Sequence, residues 1–348
     1  MDVEALDAFL VAEVDALEAA APPDTAFRAF FGDLRDFLSS GGKRLRPLFA
    51  WWGFRAAGGD PDASSAVLPV NAAIEFVHAC ALIHDDVMDA SPLRRGRPTA
   101  HETFKAAHQE AGWAGDAGHF GVSAAIMLGD LALVVADSLF ARSDVDAPRL
   151  AAAFEEFTRM RIEVVEGQYL DLVDGHRSTG DTTTALYVAS LKTAKYTVER
   201  PLRIGACLAG APAPVLDGLS AFGEPLGIAF QLRDDLLGAF GDAAVTGKPT
   251  GIDFREGKHT YVLALARDAA NARQAGILDT LVGDPDLDAD GVEAIRGVLR
   301  DSGAVAECER RIEALAAEAL EALGGLGAPA DAESALADLA RRCVRRDH

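Results

Sequence analysis

Two aspartate pairs, Asp85-Asp86 in HDDVMD and Asp234-Asp235 in QLRDD, stand at the ends of long apolar runs. Such runs read as buried helix, where an ionised carboxylate taken out of water without a partner is costly. Asp85 and Asp89 lie at i and i+4, so a helix brings them to one face about 6 Å apart. Their mutual repulsion on an isolated helix amounts to only about 0.2–0.5 kcal/mol. Burial costs several times more, so a cation is expected between them. Oxygen donors with no adjacent Cys or metal-spaced His suit a hard ion such as Mg²⁺, which takes one or two carboxylates and completes its shell with water and substrate phosphate. The chemistry indicated is that of a phosphorylated substrate. A solvated helix end is the plain alternative for one such motif, and two copies beside basic motifs argue against it.

The basic counterpart is sparse and placed. Six lysines occur, Lys43, Lys105, Lys192, Lys195, Lys248 and Lys258, while arginine supplies most of the positive charge. Lys43 sits in GGKRLRP, Lys192 in LKTAKY, and Lys248 and Lys258 in TGKPTGIDFREGKHT; Arg94-Arg95-Gly96-Arg97 follows the first aspartate motif directly. A flexible loop offering guanidinium and ammonium groups beside carboxylate-bound Mg²⁺ meets the needs of a diphosphate, because metal and cations neutralise different oxygens.

Other phosphate and hydrolase signatures fail. FGDAAVTGKPT has Asp242 and Pro249 where GxxxxGK[ST] needs glycine and a hydroxyl. No G-x-G-x-x-G follows a strand, and neither H-E-x-x-H nor G-x-S-x-G is present. A net charge of −21 argues against nucleic acid or an anionic membrane surface as a general partner. Cys80, Cys207, Cys308 and Cys343 are scattered, which suggests neither a zinc site nor a disulfide framework and suits a reducing cytoplasm. The acidic, helix-patterned start lacks the features of a signal peptide, and no uncharged apolar run reaches the length of a membrane span. A soluble, cytoplasmic protein without a transmembrane segment is expected.

These residues must be positioned by helices. Ala, Leu, Glu and Arg dominate segments whose apolar positions recur at three and four residues, and alternating strand patterns are nearly absent. Turn formers interrupt them at Gly58–Ser65, Gly112–Gly121, Ser178–Thr183, Gly210–Pro214, Gly241–Gly257, Gly283–Asp288 and Gly324–Ala332. None resembles an interdomain linker, and two aspartate motifs sharing a ligand must converge. The expectation is one all-α domain over residues 1–348, a helical bundle around a central cavity, with a less ordered Ala-rich tail from about Gly324.

The order of motifs resembles the trans-isoprenyl diphosphate synthases, or polyprenyl synthetases, over residues 41–260. GGKRLRP is similar to the family's isopentenyl diphosphate motif, HDDVMDASPLRRG to its first aspartate-rich motif, LKTAKYT to its Lys-Thr segment, and FQLRDD with GKPTGIDFREGK to its second aspartate-rich region. The resemblance implies that Lys43, Arg46, His78 and Arg95 hold isopentenyl diphosphate, and that Arg94, Lys192 and Lys258, with Lys248, hold the allylic diphosphate. It implies three Mg²⁺ ions on Asp85, Asp89 and Asp234, with Asp86 and Asp235 supporting that shell and Thr193 and Gln231 facing the reacting carbon. The implied reaction is ionisation of the allylic C–O bond, attack by the isopentenyl double bond, and loss of a proton to the departing diphosphate, in a homodimer.

One position departs from the pattern. Gly238 stands where the family commonly has a third aspartate, which is expected to weaken or rehydrate the ion there without abolishing activity. One turn before Asp85 stand Ala81 and Cys80, with Val77 a further turn away. In the resembling family a bulky aromatic there stops elongation early. Both residues are small here, so geranylgeranyl diphosphate is the expected product, with farnesyl or longer chains as alternatives. A class I terpene cyclase is disfavoured by GGKRLRP and Arg95. A non-catalytic subunit of a heteromeric synthase finds support only in Gly238.

Overall fold

A computed structural model describes residues 1–22, 25–175, 181–241 and 251–345. Among these the chain is helical apart from one short hairpin. It divides into two compact units: Met1–Trp51 with Asp60–Leu150, and Trp52–Gly59 with the chain from Ala151 onward.

The first unit contains α1 (Val3–Ala20), α2 (Thr25–Ser39), the start of α3 (Leu45–Ala56), α4 (Ser64–Met88), the hairpin β1 (Leu93–Arg94) and β2 (Arg97–Pro98), α5 (Ala100–Glu110) and α6 (Ala117–Ala141). Asp2 and Asp116 cap α1 and α6 by accepting from the N–H groups of Glu4 and His119, each at 2.9 Å. The Asp116 cap starts α6 inside the break expected to run to Gly121. Both α4 and α6 are 25 residues long, and by length and composition either could cross a membrane. They pack on each other in the core, where Val70, Ile74, Ala125, Leu128 and Ala132 are buried. Gly129 permits this approach, since a side chain there would collide with the His84 ring. His84 Nε2 lies 3.0 Å from the Ile126 carbonyl oxygen.

The second unit contains the remainder of α7 (Ala147–Asp174), α8 (Thr182–Ala189), a π-helical segment over Ser190–Glu199, α9 (Arg200–Leu208), α10 (Ala213–Phe240), the short α11 (Ile252–Arg255), α12 (Tyr261–Ala269), α13 (Ala272–Leu281), α14 (Ala289–Asp301), α15 (Ala304–Gly325) and α16 (Ala330–Val344). Its core gathers Leu232, Leu236, Leu263, Leu278, Ile295, Leu299 and Ile312. Residues after Gly324, expected as a looser tail, form α16 instead. Leu336, Leu339 and Ala340 are buried, and Arg233 donates to the Val344 carbonyl at 2.9 Å. The alanines there are helix formers with an apolar stripe to bury.

Asp33 on α2 yields a prediction about stability. Burial, with the charge of Asp36 adding, pushes its carboxyl up to about 6 from 3.8. A raised carboxyl pKa means the folded state prefers the neutral form, so the group opposes folding increasingly as pH climbs from 3.8 through 6. Asp33→Asn is expected to stabilise the protein by about 1–2 kcal/mol at pH 7.5, after discounting for solvent screening. The gain should shrink toward zero near pH 4; a Tm increment equal at both pH values would refute this origin.

Candidate active site

In the first unit the aspartates sit where α4 ends. The Asp89 N–H donates to the Asp85 carbonyl at 2.8 Å, so the helical i, i+4 relation between them holds. Ala90 then turns left-handed (φ 49°), with Ala90 N–H bonded to Val87 O at 3.3 Å and Ser91 N–H to Asp86 O at 3.0 Å. This is a Schellman stop carrying alanine where glycine is usual. Asp86 is nearly sealed, its side chain 2% exposed, whereas Asp85 is 23% exposed. Arg94 Nε donates to both Asp86 oxygens at 2.9 and 2.8 Å, and its Nη2 reaches Asp85 at 3.4 Å. Burial raises the Asp86 pKa, which Arg94 opposes and the Asp85 charge reinforces.

The arginine cluster, expected as a flexible loop, is a tight hairpin. Arg94 pairs with Arg97 across it, and the two tip residues, Arg95 (φ 53°) and Gly96 (φ 75°), are both left-handed, as a type I′ turn demands. Arg95 donates to the Gly41 carbonyl, which ties the hairpin to the GGKRLRP segment. Lys43 is exposed and Arg46 half-buried. His78 is held neutral, its pKa lowered by loss of surrounding water and then by Arg46, Arg94, Arg95 and Arg44. The structure therefore gathers Arg46, His78, Arg94 and Arg95 into one cationic neighbourhood. Among the chain-length positions, Val77 and Cys80 are buried while Ala81 is partly exposed. Burial, with Asp130 adding, pushes the Cys80 thiol up to about 11 and keeps it protonated.

In the second unit Lys192 and Thr193 lie in the π-helical segment, a rare form found frequently at functional sites. Glycines let it nest: a Cβ at Gly167 would press on Lys192 N, and one at Gly227 would enter the Ala194 backbone. Its end is braced by Arg200, buried and bonded to Glu156 at 2.8 Å and to Glu163 at 2.7 and 2.6 Å. Lys192 Nζ donates to Asp171 at 2.6 Å. Thr193 donates to Gln231 Oε1 at 2.5 Å, and the Gln231 amide donates to Asp235 at 2.7 Å. Burial pushes Asp235 up to about 8 although Gln231 opposes it, with Asp253, Asp234 and Asp171 adding. Asp234 itself is exposed. Lys258 pairs with Glu256 at 2.8 Å, and Lys248 lies outside the described residues.

Four carboxylates acting on one another fit a hard cation, because a divalent ion favours the charged form of Asp235 that burial, with the neighbouring acids adding, otherwise disfavours. Among the described residues no three acids converge into a ready metal cluster. The donor set thus suits an ion that brings further ligands with its substrate. Sequence reasoning passed over Asp171, Asp253 and Arg44. The GQYLDL stretch was the available signal for Asp171, with Gln168 and Asp171 three residues apart on one helix face.

The chain matches the polyprenyl synthetase family model over residues 31–298. It is 34% identical to the geranylfarnesyl diphosphate synthase of Aeropyrum pernix over 300 residues, covering 85% of this chain and 87% of that one. It is 31% identical to the (2E,6E)-farnesyl diphosphate synthase of Mycobacterium tuberculosis, covering 88% and 80%. Among solved structures it superposes on the geranylgeranyl pyrophosphate synthase of Corynebacterium glutamicum, complexed with isoprenyl diphosphate and magnesium, with a TM-score of 0.93, 39% identity, and 99% and 100% of the two chains covered. The chain belongs to the polyprenyl synthetase family. It is a prenyltransferase of the trans-isoprenyl diphosphate synthase class, whose chemistry depends on Mg²⁺.

Gly238 acquires a physical meaning here. The Asp253 carboxylate occupies the place a Cβ at 238 would take, so an acid from α11 leans into the gap left by the missing third aspartate. Asp253→Asn is expected to raise the Mg²⁺ concentration for half-maximal rate roughly three- to tenfold in the native background and by less than about twofold alongside Gly238→Asp. Mg²⁺ titrations of the four proteins measure this coupling, and equal effects in both backgrounds would show the positions to be independent.

Proposed function

We propose that this chain joins isopentenyl diphosphate to dimethylallyl, geranyl or farnesyl diphosphate and releases geranylgeranyl diphosphate. The observation carrying the product length is the floor of small side chains on α4 before Asp85, where Ala81 is partly exposed and no aromatic stands at 80 or 81. Likeness across nearly the whole chain to a geranylgeranyl synthase supports the same length. Relatives named for farnesyl and geranylfarnesyl products bracket it on either side. A single family match spanning most of the chain supports reading it as one catalytic domain.

In this reading Lys43, Arg46, His78 and Arg95 receive isopentenyl diphosphate, while Arg94, Lys192, Lys248 and Lys258 receive the allylic diphosphate. Mg²⁺, three ions when substrate is bound, would be held by Asp85, Asp89 and Asp234 and would supply charge opposing that developing on the leaving diphosphate. Asp86, locked by Arg94, keeps the end of α4 in register. The chain of hydrogen bonds Thr193–Gln231–Asp235 fixes the rotamers of the two polar groups assigned to the reacting carbon. No protein base is assigned, since the departing diphosphate takes the proton. Apolar side chains exclude water that would quench a carbocation.

The protein acts as a cytoplasmic homodimer. Ile162, Val165, Tyr169 and Leu172 form an exposed apolar stripe on α7 at three- and four-residue spacing, which suits a second copy. The described cysteines are buried and form no disulfide, which suits a reducing compartment.

Incubation with isopentenyl diphosphate, Mg²⁺ and each allylic primer, followed by mass spectrometry, is expected to give a twenty-carbon diphosphate. Ala81→Phe should shift it to fifteen carbons or fewer, because one helical turn spans about 5.4 Å, roughly an isoprene unit. An unchanged distribution would remove Ala81 from the floor. Cyclic hydrocarbon from an allylic substrate alone would indicate a cyclase, and turnover only with a second protein would indicate a subunit.

A further inference from the structure

Arg44 has no role in the scheme above, yet the turn carrying Lys43 and Arg46 is built on it. Its backbone is left-handed (φ 46°), uncommon for a residue with a side chain. Its carbonyl accepts from the Leu48 N–H at 3.0 Å and so opens α3. Each nitrogen of its guanidinium donates one hydrogen bond. Nη1 donates to Glu75 on α4 at 2.7 Å, Nε to Asp7 on α1 at 2.8 Å, and Nη2 to the Leu38 carbonyl on α2 at 2.6 Å. The Arg44 and Glu75 side chains are 6% and 4% exposed, whereas Asp7 is 50% exposed. Glu75 stands one turn before His78 on the same helix. Across the turn, Arg95 holds the Gly41 carbonyl.

A run containing Lys43, Arg44 and Arg46 beside Arg95 repels itself. Glu75 and Asp7 answer Arg44 from behind, which removes one cation from that repulsion. Buried at 6% exposure and turned toward Glu75, Asp7 and the Leu38 carbonyl, the Arg44 guanidinium serves the framework. We propose that Arg44 is a positioning residue that sets the 41–46 turn so that Lys43 and Arg46 meet isopentenyl diphosphate, and that α1 joins this support through Asp7. The inference rests on the reading of Lys43 and Arg46 as diphosphate ligands.

The test is steady-state kinetics with each substrate varied in turn, alongside Tm, for Asp7→Asn, Arg44→Lys and Lys43→Ala in the full chain. Asp7 is half-exposed, so its variant perturbs the contact with little demand on folding. Asp7→Asn and Arg44→Lys are expected to raise KM for isopentenyl diphosphate roughly three- to tenfold, with kcat and the allylic KM within about twofold of native. Lys43→Ala should raise the same KM further. If Lys43→Ala does so while the other two leave it unmoved, or lower kcat and both affinities in parallel with Tm, Arg44 is a structural anchor and the inference fails. If Lys43→Ala itself leaves that KM unchanged, the site reading fails, and the inference with it.

Discussion

The cost of holding carboxylates at the ends of apolar helices governs how both units are built. An ionised acid removed from water needs a cation, a set of donors or a proton. Each solution appears. Asp86 has Arg94, Glu75 has Arg44, and Glu156 has Arg200 and Arg203, whose pull holds its carboxyl below the usual range despite burial. Asp171 takes Lys192. Asp235 is answered by the neutral amide of Gln231 and keeps its proton up to about 8. The acids compensated by buried arginine belong to the framework. Asp85 and Asp234, proposed above as metal ligands, are more exposed.

The backbone is least regular where the motifs lie. Arg44, Ala90 and Arg95 are the non-glycine residues with positive φ among those described, and all three flank groups assigned to substrate or metal. Such conformations persist only where surroundings over-determine them. Arg44 is fixed by three helices, Ala90 by the Schellman bonds at the end of α4, and Arg95 by the hairpin turn. The π-helical segment obeys the same logic, clamped by the close approach of Gly223 and Gly227 on α10 and by the Arg200 cluster at its end. One extra residue in a helical turn changes which side chains share a face, and that is how Lys192 meets Asp171 while Thr193 meets Gln231.

Helical architecture was legible because apolar spacing at three and four residues is a local property, and the motif chemistry was legible because its residues lie close together in sequence. What escaped depends on distant partners. Nothing near Gly238 announces that Asp253 would fill its space, and Asp7 is one acid among many until Arg44 is seen to reach it. The Arg94-Arg95-Gly96-Arg97 run was read as a flexible loop, although Arg-Gly between short flanks admits the type I′ turn that forms. The C-terminal stretch misled through its alanine content: low side-chain volume resembles low complexity, but every third or fourth position there is an apolar residue that α16 buries.

The net charge of −21 presents a physical difficulty for an enzyme whose substrates are anions. Its long-range field repels a bare diphosphate, and at physiological ionic strength that field is screened beyond about 8 Å. Binding must then come from short-range contacts, and the first unit offers concentrated positive charge where the Arg95 hairpin is tied to the segment carrying Lys43 and Arg46. The same acidic field raises the local concentration of divalent cations. A diphosphate that arrives with Mg²⁺ carries less negative charge and brings the ligands that the aspartates lack. An acidic surface disfavours the free anion more than its Mg²⁺ complex, while the basic residues supply the attraction that any diphosphate needs at short range.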